Sequence, residues 1–138
     1  MNGSDFLDTN VLVYALGVAD PAKHKIARPL LTRAVAGEFA ISTQVLAELA
    51  TTLLKRYQAR FAVREVLTLL DSLKPVPLIK PDGDMVRRAV EAHAAYGLHF
   101  YDGMIIAAAE RAGSETIWSE DLNAGQKYFG VTVVNPFG

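Results

Sequence analysis

Short apolar runs and longer amphipathic stretches alternate along the chain. Five short runs predict β-strands, which we place at residues 4–7, 39–41, 76–79, 116–118 and 131–134. Six longer stretches predict α-helices, which we place at residues 10–16, 20–37, 42–57, 63–73, 82–96 and 101–112. Because strands alternate with helical stretches, we expect an α/β fold of three layers, α/β/α, with a mostly parallel sheet of about five strands.

Length and composition narrow the class of protein. The chain has 138 residues, of which 51% are hydrophobic and none is cysteine. These values predict one folded domain over residues 1–138 and exclude disulfides and thiolate metal sites. No apolar run approaches the roughly 20 residues that span a membrane, and the first residues lack the pattern of a signal peptide. We therefore expect a soluble, cytoplasmic protein without membrane contact.

The charge does not by itself predict a nucleic-acid partner. The formal net charge is −1, whereas nucleic-acid-binding domains are often strongly basic. Basic side chains are clustered locally, and one cluster comprises Lys55, Arg56, Arg60 and Arg64. A solvated helix face is the simplest explanation of such a cluster.

Four carboxylates are candidates for a site at the carboxyl ends of the strands, where open parallel sheets bind ligands. Asp8 follows the first strand and Asp121 follows the fourth, although Asp8 is equally suited to capping the next helix. Asp102 lies in the first turn of a nearly apolar helix, which predicts a buried side chain that needs a partner or a metal. Glu48 shares a polar helix face with Gln44, and a solvated surface glutamate fits that position as well.

Convergence of these acids would predict a metal site. Carboxylates that meet in one crevice repel each other unless one is protonated or a cation neutralises them. Oxygen ligands favour Mg²⁺ or Mn²⁺ over zinc, and such ions commonly act on phosphate esters. The dinucleotide, P-loop and serine-hydrolase glycine motifs are all absent. The three histidines lack metal-ligand spacing, and His99, near Asp102, is the auxiliary candidate.

Four segments of the chain resemble the PIN domain, in particular the small ribonucleases called VapC, the toxins of toxin–antitoxin pairs. They are residues 6–15 (FLDTNVLVYA), 44–49 (QVLAEL), 100–109 (FYDGMIIAAA) and 119–126 (SEDLNAGQ). The resemblance extends from residue 6 to about residue 135. It implies a parallel sheet between helices, with an acidic crevice at the carboxyl ends of the strands.

The resemblance also implies a site and its partners. The family's acidic positions correspond to Asp8, Glu48, Asp102 and Asp121, and its neighbouring polar positions to Thr9, Asn10 and Ser119. Three of the acids, Asp8, Asp102 and Asp121, are then expected to hold Mg²⁺ or Mn²⁺. Glu48 is expected to help bind the ion or to orient the attacking water. Further implications are an endoribonuclease that cleaves structured RNA, a homodimer, and a cognate antitoxin that blocks the site. The phosphate contacts are then expected from Lys55, Arg56, Arg60 and Arg64.

One position departs from the family pattern, and two other functions stay open. Gly103 stands where many relatives carry alanine, and glycine inside a helix lowers helix stability, so we expect it to make Asp102 less rigid. The first alternative is another Mg²⁺-dependent phosphohydrolase, such as a haloacid-dehalogenase-like phosphatase. That class carries an Asp-x-Asp motif at the end of the first strand. Here Asn10 stands in place of the second aspartate of the motif. The second alternative is a PIN-like module that binds RNA or a partner without cutting, against which the intact acids argue.

Overall fold

The structure, a computed structural model, describes residues 5–138. These residues form six strands: β1 (Asp5–Leu7), β2 (Phe39–Ser42), β3 (Leu78–Ile79), β4 (Thr116–Trp118), β5 (Lys127–Tyr128) and β6 (Val131–Val134). They also form six helices: α1 (Thr9–Ala15), α2 (Pro21–Val35), α3 (Thr43–Lys55), α4 (Val63–Ser72), α5 (Gly83–Tyr96) and α6 (Phe100–Arg111). The predicted elements are therefore present within a few residues of their expected ends. Ser4, the expected start of the first strand, lies outside the described residues.

The strands of the described chain form one sheet in the order β3-β2-β1-β4-β6-β5. Central β1 pairs in parallel with β2 on one side and with β4 on the other. Two further pairs, β2 with β3 and β4 with β6, are also parallel, and only β5 and β6 are antiparallel. The predicted mostly parallel sheet is confirmed, and β3 lies at one of its edges.

The expected count of about five strands is one too low. Strand β5 has two residues and forms a tight hairpin with β6. The two residues between them, Phe129 and Gly130, have φ angles of 49° and 85°, as the favoured two-residue hairpin turn requires. A strand this short has no alternating pattern, and phenylalanine is an unusual residue at positive φ. Neither feature signals a hairpin in the sequence.

Both faces of the sheet are covered. Neighbouring residues of a strand point to opposite faces, and the adjacent Phe6 and Leu7 of β1 are both 0% exposed. Phe39 and Ile41 of β2 belong to the same hydrophobic cluster, together with residues of α1, α2, α3 and α6. The core therefore lies on either side of β1 and β2 and fixes where their carboxyl ends stand. None of the helices within residues 5–138 combines the length and apolarity needed to cross a bilayer.

Capping residues set the helix starts that frame those strand ends. Asp20 accepts hydrogen bonds from the first backbone N–H groups of α2, Ser42 does so for α3 and Asp82 for α5. Aspartate and serine are among the residue types that commonly cap helices. Ser42 is both the last residue of β2 and the cap of α3, so α3 begins directly at the carboxyl edge of the sheet.

The contact between α5 and α6 explains Gly103. A Cβ atom at this position would lie 2.8 Å from the backbone carbonyl oxygen of Ala89, closer than carbon and oxygen approach without a bond. The glycine therefore permits a close approach of the two helices. The expectation that Gly103 makes Asp102 less rigid stays a prediction, and the close packing of α6 against α5 that the glycine permits opposes it.

Candidate active site

A crevice of about 780 Å³ opens at the carboxyl ends of β1 and β4. Its walls come from α1, α3, the first turns of α6 and the segment that follows β4. All four predicted acids line it: Asp8, Glu48, Asp102 and Asp121. The position is the one expected for a site in an open parallel sheet.

Asp8 is the most enclosed of these acids, with 8% of its surface exposed. Its Oδ1 accepts a hydrogen bond of 2.8 Å from the backbone N–H of Thr9, and its Oδ2 accepts one of 2.8 Å from Ser119 Oγ. Burial raises the pKa of Asp8 to about 6, against the opposing effect of these two hydrogen bonds. The negative charges of Glu48 and Asp121 raise the pKa further. Asp8 thus caps α1 and also presents a carboxyl group of perturbed acidity to the crevice.

Glu48 is held by hydrogen bonds to both carboxylate oxygens. Thr9 Oγ1 donates to Oε1 over 2.8 Å, and Gln44 Nε2 donates to Oε2 over 3.1 Å. The residue is half-buried. Its side chain is therefore fixed in the crevice and is not a freely solvated surface group.

Asn10 and Ser119 attach the segment after β4 to α1. Asn10 Nδ2 donates to Asp121 Oδ2 over 3.1 Å, and Asn10 Oδ1 accepts from the backbone N–H of Glu120 over 3.1 Å. Ser119, which is fully buried, accepts at Oγ from the backbone N–H of Asp121 over 3.1 Å. The polar residues expected beside the acids thus orient Asp8 and Asp121 relative to each other.

Asp102 differs from its prediction. The apolar pattern of α6 is borne out, because residues 103–109 are buried, but Asp102 itself is exposed at the mouth of the crevice. It lies in the first turn, where the helix emerges from the core. Partial desolvation raises its pKa, a nearby His99 charge lowers it, and the charges of Asp121 and Glu48 raise it.

The family follows from the sequence as a whole. A model of the PIN domain matches residues 6–129, which include all four acids. The chain belongs to the PIN domain family. A search of curated proteins finds no match.

Solved structures with the same fold include toxin–antitoxin assemblies. A toxin–antitoxin complex from Klebsiella pneumoniae has a TM-score of 0.70 and 23% identity, covering 96% of this chain and 98% of that one. FitAB bound to a DNA fragment has a TM-score of 0.69 and 19% identity, with 96% and 95% covered. VapBC2 from Rickettsia felis, bound to a fragment of promoter DNA, has a TM-score of 0.62 and 18% identity, with 93% and 95% covered. At these identities the likeness establishes the fold.

Three features of this PIN domain's crevice were not predicted. Gln44 Nε2 donates to Glu48 and also to the backbone carbonyl of Tyr101, over 3.0 Å. Tyr101 itself lines the mouth of the crevice. Also in the lining, Glu120 accepts from Tyr14 Oη over 2.8 Å and forms an ion pair with Lys23. The signal for Gln44 was its position one helical turn before Glu48, whereas the other contacts join distant segments.

The basic cluster divides into one crevice residue and three others. Arg56 lines the crevice, and its guanidinium carbon lies 5.6 Å from the centroid of the Tyr57 ring. Lys55, Arg60 and Arg64 are exposed on the surface outside the lining. His99 also stays outside it and caps α6, with Nδ1 accepting from the backbone N–H of Tyr101 over 3.4 Å.

The acids of this PIN domain fit a divalent cation in kind and in charge. The ion pairs within residues 5–138 do not involve any of the four predicted acids, so their charge is not balanced by lysine or arginine. The fifth acid of the lining, Glu120, is the one that pairs with Lys23. No three histidine or acidic side chains in this part of the chain are close enough together to surround one ion. Mg²⁺ is commonly held by one or two carboxylates and several waters, a requirement that this more open arrangement meets.

Proposed function

We propose that this PIN domain is a Mg²⁺- or Mn²⁺-dependent endoribonuclease and the toxin of a VapBC-type toxin–antitoxin pair. One observation carries the proposal. Four carboxylates from separate parts of the chain line one crevice, and three of them, Asp8, Glu48 and Asp121, are held there by neutral hydrogen-bond donors. A structural network would pair such charges, whereas a metal-dependent nuclease needs them unpaired. Family membership supports the same conclusion, because PIN domains are generally nucleases.

The residues have distinct roles in this mechanism. Asp8, Asp102 and Asp121 would hold the cation, directly or through its bound waters, and Glu48 would bind it or orient the attacking water. Thr9 and Gln44 fix the carboxylate of Glu48, so that its oxygens keep one orientation as the substrate enters. When bound, Mg²⁺ or Mn²⁺ neutralises phosphoryl charge and activates water for attack.

Polar residues around Asp8 keep this carboxyl group oriented in both of its protonation states. The backbone N–H of Thr9 and the hydroxyl of Ser119 each hold one oxygen. A cation in the crevice would stabilise the ionised form, because an opposite charge lowers a carboxyl pKa that burial has raised. Proton release from Asp8 is therefore expected to accompany metal binding.

The partners follow from the same proposal. Relatives of this fold occur in toxin–antitoxin complexes, and we infer a cognate antitoxin that covers the crevice, a homodimer, and action on cytoplasmic RNA. If a small reading frame lies next to the gene, co-expression with its product should yield a complex that does not cleave RNA. Sedimentation velocity of the protein alone should give the mass of a dimer.

The direct test is cleavage of RNA by the purified protein. We expect no cleavage after chelation, cleavage on addition of Mn²⁺ or Mg²⁺, and none with Asp8→Asn. Sequencing of RNA ends after induced expression should show a small set of sites. Metal-independent binding without cleavage would indicate a binding module. Hydrolysis of small phosphate monoesters without RNA cleavage would indicate a different phosphohydrolase.

A further inference from the structure

The crevice continues along α3 and is much longer than a single phosphate group. Its lining runs from Gln44, in the first turn of α3, to Arg56, the residue that follows the helix. At about 1.5 Å per residue these positions are roughly 18 Å apart along the helix axis. Glu48 lies between them, nearer to Gln44. The crevice therefore extends along α3 beyond the acidic side chains, and this part of it has room for more of a substrate.

An exposed aromatic ring stands at the Gln44 end. Tyr101 lines the crevice next to Asp102 and is 59% exposed. Its ring stacks on that of His99, with centroids 6.2 Å apart and 28° between planes, and Phe100 contacts it edge-on at 5.1 Å. Its backbone carbonyl is tied to α3 by Gln44. The ring is thus an apolar platform on a fixed backbone, and much of its surface faces solvent.

A cation without a charged partner stands at the other end. Arg56 is exposed, lines the crevice, and takes no part in the ion pairs formed within residues 5–138. By contrast, Lys23, which approaches the crevice from α2, is neutralised by Glu120. Arg56 is therefore the cation of the lining that is available to a phosphate.

We propose that the crevice is a track for single-stranded RNA, in which a base on one side of the cleaved bond stacks on Tyr101 and a phosphate on the other side binds Arg56. The proposal rests on the proposed function and assigns a substrate subsite to each end of the same crevice. Electrostatics favours it, because four carboxylates repel phosphates and the net charge of −1 supplies no general attraction. Stacking on an aromatic face does not depend on charge, so it can hold RNA where Coulomb attraction is weak.

The track also selects the form of the RNA. A base can stack on Tyr101 only if it has left its own stack, as bases do in loops and bulges. A paired duplex keeps its bases stacked internally. Structured RNA would therefore be cleaved in its unpaired segments, next to the base that occupies the Tyr101 platform.

The test measures RNA binding in an Asp8→Asn background, so that no cleavage interferes. The probe is a hairpin RNA with 2-aminopurine in its loop, whose fluorescence falls when the base stacks. Tyr101→Leu keeps an apolar side chain without a π face, and it should weaken binding roughly 5- to 150-fold and abolish the fluorescence change. Tyr101→Phe should retain both. Leu67→Ala, at an exposed apolar position of α4 outside the crevice, is the matched control and should bind as the parent does.

Arg56→Gln tests the other end. It should reduce the slope of log affinity against log salt by somewhat under one unit and leave the 2-aminopurine signal intact. The effects of Tyr101→Leu and Arg56→Gln should add, because the two ends share no contacts. A fully paired RNA duplex should bind more weakly than the hairpin, and DNA of the loop sequence tests whether the sugar is recognised.

Three results would overturn the proposal. They are unchanged RNA affinity in Tyr101→Leu, equal binding of duplex and hairpin, or a Tyr101→Leu effect confined to the sedimentation coefficient, which would make the ring a protein contact. Failure of the proposed function is distinguishable, because wild-type protein with Mn²⁺ would then leave the hairpin uncut whatever the binding data show.

Discussion

The two ends of α6 both gather acidic side chains, but they balance the charge in opposite ways. At the C-terminal end, Arg88 donates two hydrogen bonds of 2.8 Å to Glu110, and Arg111 donates bonds of 2.8 and 3.1 Å to Asp82. The hydrogen bond from Arg111 lowers the pKa of Asp82. At the N-terminal end, Asp102 faces a crevice in which Asp8, Glu48 and Asp121 are bound by threonine, glutamine, asparagine and serine.

The difference separates acids that stabilise the fold from acids that we propose to be functional. An arginine partner satisfies a carboxylate and lowers its pKa, which leaves little driving force to bind a cation. Neutral donors orient a carboxylate but leave its charge uncompensated, and burial then raises the pKa of Asp8 to about 6. Perturbed carboxyl groups of this kind in a cleft are typical of functional sites.

The largest effect should come from removing one unbalanced charge. Asp8→Asn and Asp102→Asn should each reduce RNA cleavage by at least about 100-fold and weaken Mn²⁺ binding in titration calorimetry. Asparagine caps a helix as well as aspartate does, so the start of α1 should survive in Asp8→Asn. Glu110→Gln, at the arginine-paired end, should leave cleavage and metal affinity unchanged. Equal Mn²⁺ affinity in both crevice variants would refute their assignment as ligands.

The next largest effect should come from Glu48→Gln, which should lower the rate of RNA cleavage on the order of 100-fold or more. The melting temperature should change little, because glutamine keeps the shape and helix propensity of the side chain. Gln44 and Thr52 are unsuitable controls, since both contact Glu48. Glu91→Gln, at an exposed position of α5, is the matched control. Wild-type cleavage rates in Glu48→Gln would return this residue to a structural role.

The pH dependence of stability should show that burial destabilises the ionised form of Asp8. Its pKa rises from 3.8 to about 6 on folding, so the folded protein binds more protons than the unfolded chain between these values. Stability from this group is then full below pH of about 4 and is lost as the pH rises through about 6. The loss should be on the order of 2–3 kcal/mol.

Chemical denaturation of metal-free protein across this pH range measures that loss. The difference in unfolding free energy between wild type and Asp8→Asn separates the titration of Asp8 from that of other groups. The variant should be the more stable of the two at pH 7. Parallel stability curves for the two proteins would show that Asp8 is not strained. Saturating Mn²⁺ should reduce the difference, since it binds the folded state.

The smallest effect should come from Gly103→Ala, which tests the packing that joins both regions. Alanine gains about 1 kcal/mol of helix propensity, but overpacking against the backbone of Ala89 costs about 1–3 kcal/mol. We expect a net loss of up to about 2 kcal/mol in urea unfolding. Gly83→Ala is the control, because a Cβ there meets nothing within 4 Å. A stabilised Gly103→Ala protein would mean that α5 and α6 can separate at little cost.

Local signals in the sequence were sufficient for most of the fold. The caps Asp20, Ser42 and Asp82 act on the next few backbone N–H groups, and apolar periodicity reports burial of a whole face, so both can be seen within a short window. Strand β5 was not predicted, because its turn places Phe129 at positive φ and phenylalanine rarely adopts that conformation. The packing role of Gly103 could not be seen in the sequence, because the atoms that exclude a side chain there belong to another helix.

The candidate site divides in the same way. The strand-end rule was enough to select Asp8 and Asp121, because their place at the carboxyl edge follows from the order of strands and helices. Only the tertiary structure decided that Glu48 is held by Thr9, 39 residues away, and that Asp102 is exposed at the mouth of the crevice. Contacts between distant segments decide whether a carboxylate pairs with an arginine. Local pattern therefore determined where the acids stand, and long-range packing determined which of them keep their charge unpaired.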